Sequence, residues 1–241
     1  PASTYSTYPI TVREVPTASI VGNTTVCQGG DSTTITFTGL GGIAPYIFSY
    51  SINGATQSIT TTSLTGTSII KQGTETAGQY VYSLQSVSNG YSCSQSQIGQ
   101  ARVTVNRLPE AIISSNLTVC QGDNPPVVTM TGSNGSNPYT FTYTLKSGGS
   151  TAQSVDISSS GNKASFTHPT STAGDFVYRI ASVAYTQNGK VCFKDQTDTM
   201  LIVVNPLPSA EFSKTPDVCK DSASPVLTFK GTVGTAPYTF T

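Results

Sequence analysis

The sequence repeats itself at a long, nearly constant interval, and this periodicity constrains the fold more than any other feature. The segment TVCQG at 25–29 recurs at 118–122, and DVCK at 217–220 is a third, diverged copy. The cysteines of the three copies are 93 and 99 residues apart, and a Pro-Tyr pair follows each of them after the same spacing. Such a period is far longer than a solenoid repeat and has the size of an independent domain.

Two further repeated phrases set the domain boundaries. TAGQYVYSLQSV from Thr76 reappears as TAGDFVYRIASV from Thr172, and VTVNRLPEAII from Val103 matches IVVNPLPSAEF from Ile202. We therefore predict the last strand of a preceding repeat at 1–13, complete repeats at 14–106 and 107–205, and the N-terminal part of a further repeat at 206–241. On this interpretation the chain is a section of a longer tandem array.

Within a repeat, short apolar alternations separated by turn residues predict an all-β sandwich of about seven strands. In the first repeat the strands are expected near 17–21 with 24–26, 32–38, 46–52, 56–62, 67–71, 79–88 and 101–105. Side chains alternate between the two faces of a strand, so the large residues of the sixth strand share one face. We expect these to be core residues: Tyr80, Tyr82 and Leu84 in the first repeat, and Phe176, Tyr178 and Ile180 in the second.

The recurring Pro-Tyr pair has two interpretations. Proline supplies a fixed φ at the start of a strand, where no ladder donor is needed, and Tyr46 or Tyr139 then begins the inward row. The alternative is that these tyrosines form an exposed aromatic platform for a ligand. Asn53-Gly54 predicts a hairpin turn, because both turn positions need a positive φ. The proline-containing joints at 105–109 and 204–208 predict a stiff connection that arranges the repeats end to end as a rod.

The five cysteines fit the repeats if each complete repeat closes its own bridge. This logic pairs Cys27 with Cys93 and Cys120 with Cys192, and leaves Cys219 to a partner beyond residue 241. A rival pairing joins Cys93 to Cys120 across the repeat boundary. Zinc binding would require ligands that are clustered more closely than these cysteines. Disulfides imply an oxidising compartment and hence a secreted protein.

Composition excludes several classes of function. Charged residues are 10% of the chain and the formal net charge is zero, so nothing favours binding to nucleic acid or to anionic membranes. No segment approaches the roughly 18 apolar residues that cross a bilayer, and the start lacks a secretory n-region and h-region. A disordered mucin-like stalk is disfavoured by the 12 Tyr and 9 Phe. We expect a mature, soluble segment with no direct membrane insertion.

Catalytic and metal-binding patterns are lacking in the sequence. The single histidine, His168, has Gln72 at the matching place in the first repeat, so we interpret it as a surface-loop residue rather than a general base. The 12 acidic residues are scattered and form no cluster for acid-base work or for calcium. No phosphate-binding loop and no nucleophile elbow is present. The sequence therefore predicts no enzyme activity, no cofactor and no metal.

The phrases ITVREVPTASIVGNTTVCQG, APYIFSYSING, TAGQYVYSLQSVSNGYSCSQ and ARVTVNRLPEA together resemble the tandem immunoglobulin-like repeats of SprB-like gliding-motility adhesins of Bacteroidota. The resemblance covers essentially the whole chain. It implies tandem immunoglobulin-like domains in a surface filament that is exported by the type IX secretion system and attached to the outer membrane. The implied partners are the substratum or surface polysaccharide, and the gliding and secretion machinery through other regions of the protein.

The same resemblance raises two points about individual residues. Relatives of this kind carry O-glycans at Asp followed by Ser or Thr and a small or apolar residue, which makes Ser32, Thr199 and Ser222 candidate sites. The chain also departs from better-known immunoglobulin domains, because it has no Trp and places Tyr82 and Tyr178 where a second core cysteine would be. Tyr80 is able to form the corner hydrogen bond of that fold, but its counterpart Phe176 is not.

These observations leave three functional hypotheses. The first is a structural repeat segment of a cell-surface adhesin, in which the modules act as spacers. The second is that the modules themselves bind polysaccharide, through Tyr46 or Tyr139. The third is that the modules are spacers within a secreted enzyme.

Overall fold

The computed structural model describes residues 7–61, 66–148, 153–213 and 217–241. The described residues form nineteen β-strands and no helix. The chain divides into two compact units, Pro1–Leu108 with Asn188–Lys190, and Pro109–Gln187 with Val191–Thr241. The all-β fold class predicted from the sequence is confirmed, and the repeats have immunoglobulin-like topology.

The first repeat contains eight strands. Their bounds are β1 Thr17–Val21, β2 Thr24–Cys27, β3 Thr33–Leu40, β4 Ile47–Ile52, β5 Ala55–Thr60, β6 Thr67–Gln72, β7 Gly78–Ser88 and β8 Ser94–Asn106. The predicted strands agree with these bounds to within a few residues, except that β8 begins earlier than expected. Asn53 and Gly54 both have a positive φ, so the predicted hairpin turn between β4 and β5 is confirmed.

Two sheets pack face to face in this repeat. One has the order β1-β3-β6 and the other has the order β2-β8-β7-β4-β5. β2 runs parallel to β8, whereas the other pairs are antiparallel. Between β1 and β2 the chain therefore crosses from one sheet to the other. For this reason the first predicted strand, 17–21 with 24–26, is two separate strands in the structure.

An aromatic cluster fills the space between the sheets. Phe37 lies 4.9 Å from Tyr50 and 5.5 Å from Phe48 between ring centroids, and Tyr50 lies 6.2 Å from Tyr82. All four rings are buried, and each is expected to stabilise the repeat by about 1.5–3 kcal/mol through the apolar area that it removes from water. Leu84 is buried and Tyr80 partly buried, so the predicted inward row of β7 is confirmed.

The second repeat has the same architecture. Its strands are β9 Glu110–Ile113, β10 Leu117–Cys120, β11 Val127–Ser133, β12 Tyr139–Ser147, β13 Gln153–Ser158, β14 Lys163–Thr167, β15 Gly174–Gln187, β16 Lys190–Asp195 and β17 Thr199–Asn205. The sheets are β14-β11-β9 and β10-β17-β15-β12-β13, and β16 also pairs with β15. β10 is parallel to β17, as β2 is to β8.

The core of the second repeat is again aromatic. Phe166 lies 5.0 Å from Tyr143 and 5.4 Å from Tyr178 between ring centroids. Phe176, Tyr178 and Ile180 are buried, as the alternation along this strand predicts. Each repeat thus has an aromatic interior of its own. The ring contributed by the three-stranded sheet comes from β3 in the first repeat and from β14 in the second.

The remaining segments carry less structure. Two antiparallel strands, β18 Ser209–Phe212 and β19 Phe229–Val233, follow the second repeat. Residues 7–16 are not assigned to a strand, and the assignment of 1–13 to the end of a preceding repeat stays a prediction. The division between Leu108 and Pro109 falls two residues from the boundary expected after Asn106.

Candidate functional site

The first cysteine of the first repeat lies at the end of the sandwich where the chain leaves it. Cys27 is opposite Asn106, the last residue of β8, and the amide of Gln28 donates to the Asn106 carbonyl at 2.8 Å. Gly78 begins β7 at this same end, opposite Val105. We call this the exit end of the repeat.

The second cysteine lies at the opposite end, where the chain enters. Cys93 is in the β7–β8 hairpin, just before Ser94, which is opposite Ser88. Buried Asn89 joins this hairpin to the entering chain, because its side-chain amide donates to the Glu14 carbonyl at 3.2 Å and its Oδ1 accepts the Cys93 amide at 3.2 Å. We call this the entry end.

The second repeat places its cysteines in the same way. Cys120 is opposite Asn205, the last residue of β17, at the exit end. Cys192 lies in β16, between the β15–β16 turn and Gln196. The Gln196 amide donates to the Ala181 carbonyl at 2.8 Å. At the entry end, Lys194 forms an ion pair of 3.2 Å with Glu110, the first residue of β9.

The predicted pairings within each repeat are therefore wrong. From Gly78 to Ser88, β7 rises by roughly 33 Å, whereas the Cα atoms of a disulfide lie about 4.4–6.8 Å apart. From Gly174 to Ala181 alone, β15 already rises by roughly 23 Å. Accordingly, Cys93, Cys120 and Cys219 have free thiols. The free thiols of Cys93 and Cys120 also exclude the rival bond between these two residues. Cys27 and Cys192 are each disulfide-bonded.

The Pro-Tyr tyrosines are core residues and do not form an exposed platform. Tyr46 is 6% exposed and Tyr139 is 2% exposed, and each precedes or begins the strand that the sequence predicts. The Tyr46 hydroxyl donates to the Gly41 carbonyl at 3.0 Å, and the Tyr139 hydroxyl accepts the Gly135 amide at 2.9 Å. The peptide bond before each proline of the three Pro-Tyr pairs is cis.

A glycine faces each of these tyrosine rings from the neighbouring sheet. A Cβ atom at Gly39 would lie 2.7 Å from Cγ and Cδ1 of Tyr46, and one at Gly132 would lie 2.7 Å from Cγ of Tyr139. Gly231 faces Tyr238 in the same way. Each glycine lies seven positions before its tyrosine, so this signal was present in the sequence but was not recognised.

His168 is buried, so its assignment to the surface is wrong. It is 1% exposed, and its Nδ1 shares a hydrogen bond of 2.7 Å with the Tyr178 hydroxyl. In the first repeat the corresponding bond runs from the Tyr82 hydroxyl to Oε1 of Gln72 at 2.6 Å. Both residues thus satisfy the hydroxyl of a core tyrosine.

Burial sets the ionisation of this cluster. It lowers the pKa of His168, because the charged imidazolium would lose its hydration in the core. Burial, with a smaller contribution from Tyr143, raises the pKa of Tyr178 to about 12. Nε2 of His168 has no hydrogen-bond partner within the described ranges. The pair is therefore neutral at pH 7.

The tyrosine corner occurs in the first repeat. The Tyr80 hydroxyl donates to the carbonyl of Thr76, four residues earlier, at 2.9 Å. This bond confirms the corner expected from the immunoglobulin resemblance. Phe176 has no hydroxyl, so the second repeat lacks the bond.

The candidate glycosylation residues are all exposed. Ser32 precedes β3, Thr199 begins β17, and the Ser222 hydroxyl donates to the Cys219 carbonyl at 2.7 Å. Glycosylation at these positions stays a prediction. The acidic neighbour of Thr199 also has a structural contact, because the Asp198 carboxylate accepts the Ile113 amide at 2.8 Å.

In the described ranges, no group of three or more His, Cys, Asp or Glu side chains is arranged to hold a metal ion. No helix among those residues has the length and apolar character needed to span a membrane.

The sequence matches no protein-family profile and no curated protein. Among solved structures, the titin I-band fragment I67–I69 is similar at 12% identity, with 92% of this chain and 77% of that chain covered and a TM-score of 0.46. The D0-D1 domain of intimin is similar at 16% identity, with 79% and 100% covered and a TM-score of 0.28. Fibronectin(III)-like modules of Clostridium thermocellum CbhA match at 15% identity, with 79% and 95% covered and a TM-score of 0.31. These low scores assign no function to the chain.

Proposed function

We propose that this chain is a structural repeat segment of a large, secreted cell-surface adhesin. The observation that carries the proposal is the repetition of one immunoglobulin-like sandwich, each copy with its own aromatic core and each followed by a short proline-containing joint. Modules of this kind extend and bear load, while binding and anchoring belong to other regions. The disulfide-bonded state of Cys27 and Cys192 supports an oxidising, extracellular location.

The finer proposal is that the adhesin is SprB-like and serves gliding motility in a member of the Bacteroidota. It rests on the sequence resemblance of the repeat phrases. In this proposal the filament contacts the substratum or its polysaccharide, and the outer-membrane gliding and type IX secretion machinery engages other regions. The segment itself has no catalytic role and takes no cofactor.

Fab fragments raised against the 241-residue chain test this function in the producing cells. They should label intact cells, and they should slow gliding or weaken attachment to glass, whereas Fab fragments against a cytoplasmic protein should do neither. Labelling that appears only after permeabilisation would contradict the surface location. Labelling of intact cells without any effect on attachment or movement would remove the adhesive and motility parts of the proposal.

The polysaccharide-binding alternative loses its main support, because Tyr46 and Tyr139 are buried. A glycan array probed with the 241-residue chain is expected to show no specific binding. Specific binding to one glycan class would favour that alternative. The enzyme-spacer alternative is decided by the complete reading frame, since a catalytic domain beside these repeats would support it.

A further inference from the structure

Two loops at the exit end of the first repeat connect one sheet with the other. The loop at 28–32 joins β2 to β3, and the loop at 73–77 joins β6 to β7. β2 and β7 belong to the five-stranded sheet, whereas β3 and β6 belong to the three-stranded sheet. A bond between these two loops therefore holds the sheets together at this end.

Three hydrogen bonds join the two loops. The Thr74 hydroxyl donates to the Gly30 carbonyl, and the Thr74 carbonyl accepts the Gly29 amide at 2.9 Å. Nε2 of Gln28 donates to the Glu75 carbonyl at 2.8 Å. Thr74 is only 1% exposed, so water competes little for its hydroxyl. We call these three bonds the clasp.

The second repeat contains the same clasp, between two loops that also run from one sheet to the other. The Thr170 hydroxyl donates to the Asp123 carbonyl at 2.6 Å, and the Thr170 carbonyl accepts the Gly122 amide at 3.1 Å. Nε2 of Gln121 donates to the Ser171 carbonyl at 2.7 Å. The residues that supply backbone carbonyls differ between the repeats, whereas the threonine and the glutamine that supply side-chain donors are the same.

The clasp accounts for the Gln-Gly pair that follows the first cysteine of each complete repeat. Glutamine supplies the Nε2 donor, and the glycine adopts the positive φ of the turn, +73° at Gly29 and +81° at Gly122. A Cβ at either glycine would meet nothing within 4 Å. The backbone conformation of the turn, and not the space around it, therefore requires glycine.

The clasp joins segments that are distant in the sequence. The two residues of its threonine hydroxyl bond are 44 positions apart in the first repeat and 47 in the second. Closing such a long loop costs conformational entropy, which is offset only when the strands between its ends are already paired. The clasp should therefore close late in folding and open early in unfolding.

We propose that the clasp takes the place of the inter-sheet disulfide of immunoglobulin domains and is the contact whose breakage begins the unfolding of a repeat. Such a disulfide is lacking in these repeats, where Tyr82 and Tyr178 occupy the position of the second core cysteine. This inference rests on the proposed function and deepens it, because the clasp then sets how long a module withstands load.

A threonine-to-valine pair tests the proposal on the whole chain. Thr170→Val removes the clasp hydroxyl and keeps the shape of the side chain. Thr142→Val is the matched control, because the Thr142 hydroxyl donates to Oδ1 of Asp156 at 2.7 Å between neighbouring strands of one sheet. Pulsed hydrogen exchange during unfolding and refolding in denaturant measures both rates for each repeat separately.

We expect Thr170→Val to raise the unfolding rate of the second repeat by roughly three- to ten-fold, the effect of one lost hydrogen bond. Its folding rate and the first repeat should not change, because the clasp is absent from the transition state. Thr74→Val should act in the same way on the first repeat only. Gln121→Ala, which removes an exposed bond of the clasp, supplies a milder variant that should raise the same rate as Thr170→Val.

Two results would overturn the proposal. One is an unfolding rate that Thr170→Val changes no more than Thr142→Val does, since the clasp would then not hold the sheets together. The other is slower folding with an unchanged unfolding rate, since the clasp would then form early. Both rates are measured on the purified chain, so this outcome is independent of the Fab experiments on cells.

Discussion

A single added methyl group at Gly39 is expected to destabilise the first repeat, because the Tyr46 ring already occupies the space. The new Cβ in Gly39→Ala would lie 2.7 Å from Cγ and Cδ1 of Tyr46, a separation that real Cβ contacts essentially never show. The Tyr46 ring cannot easily move, because the residue is held at both ends. Its hydroxyl donates to the Gly41 carbonyl, and its backbone amide donates to Oγ1 of Thr61 at 2.9 Å.

The magnitude follows from the cost of overpacking a core, about 1–3 kcal/mol. In a domain of this size, each 1 kcal/mol lowers the midpoint of thermal unfolding by roughly 4–8 °C. Gly78→Ala is the matched control. Gly78 is exposed at the start of β7, and a Cβ there would meet only the Tyr80 ring at 4.0 Å. Its effect on the free energy of unfolding should stay within about 0.5 kcal/mol.

Hydrogen exchange measured on the whole chain localises the effect to one repeat. Gly39→Ala should lower protection in peptides from the first repeat and leave the second unchanged. Gly132→Ala, which brings a Cβ to 2.7 Å from Cγ of Tyr139, should do the reverse. A double-mutant cycle isolates the clash, because in a Tyr46→Val background Gly39→Ala should cost almost nothing. Equal costs in both backgrounds, or a Gly39→Ala variant as mild as Gly78→Ala, would refute this reasoning.

Three further predictions concern the hydrogen bonds of His168 and Tyr80. Burial lowers the pKa of His168 in the folded state below its usual value of about 6.5. Between these two pKa values the unfolded state binds more protons than the folded state. The second repeat should therefore lose stability as the pH falls below about 6.5 and through the folded-state pKa. The variant His168→Gln copies the Gln72 arrangement of the first repeat, so it should remain folded and should lose this pH dependence. Chemical denaturation at pH 5 and at pH 8 tests both expectations. A pH dependence that is unchanged in the variant would contradict them. Tyr80→Phe should cost the first repeat about 0.5–1.5 kcal/mol in chemical denaturation by removing the bond to Thr76, and no loss would show that the corner contributes nothing.

The alternation of large and small residues made most of the strands predictable. In the first half of β7 and of β15 the largest side chains recur at every second position and face the core, so the inward face of each strand was predictable from the sequence. The early start of β8 was missed because Ser94 to Gln100 is almost entirely polar and exposed. Those residues pair with β7 through backbone hydrogen bonds, which leave no pattern in the side chains.

The two errors about the site have identifiable physical causes. The pairing predicted within each repeat neglected the direction of the last strand. The hairpin that carries the second cysteine lies at one end of the sandwich, and the last strand finishes at the opposite end. The parallel pairing of β2 with β8 then places Cys27 at the finishing end. His168 was assigned to the surface because its counterpart is Gln72. Both side chains meet a core tyrosine hydroxyl, a requirement that depends on hydrogen bonding and not on residue type.

Force spectroscopy on the 241-residue chain in the presence of a reductant tests most directly whether the repeats are independent load-bearing modules. The account predicts two separate unfolding events, one for residues 14–106 and one for 107–205. Each event should lengthen the chain by roughly 250–300 Å, the extended length of one repeat less its folded length. A single unfolding event that releases both segments together would contradict the account.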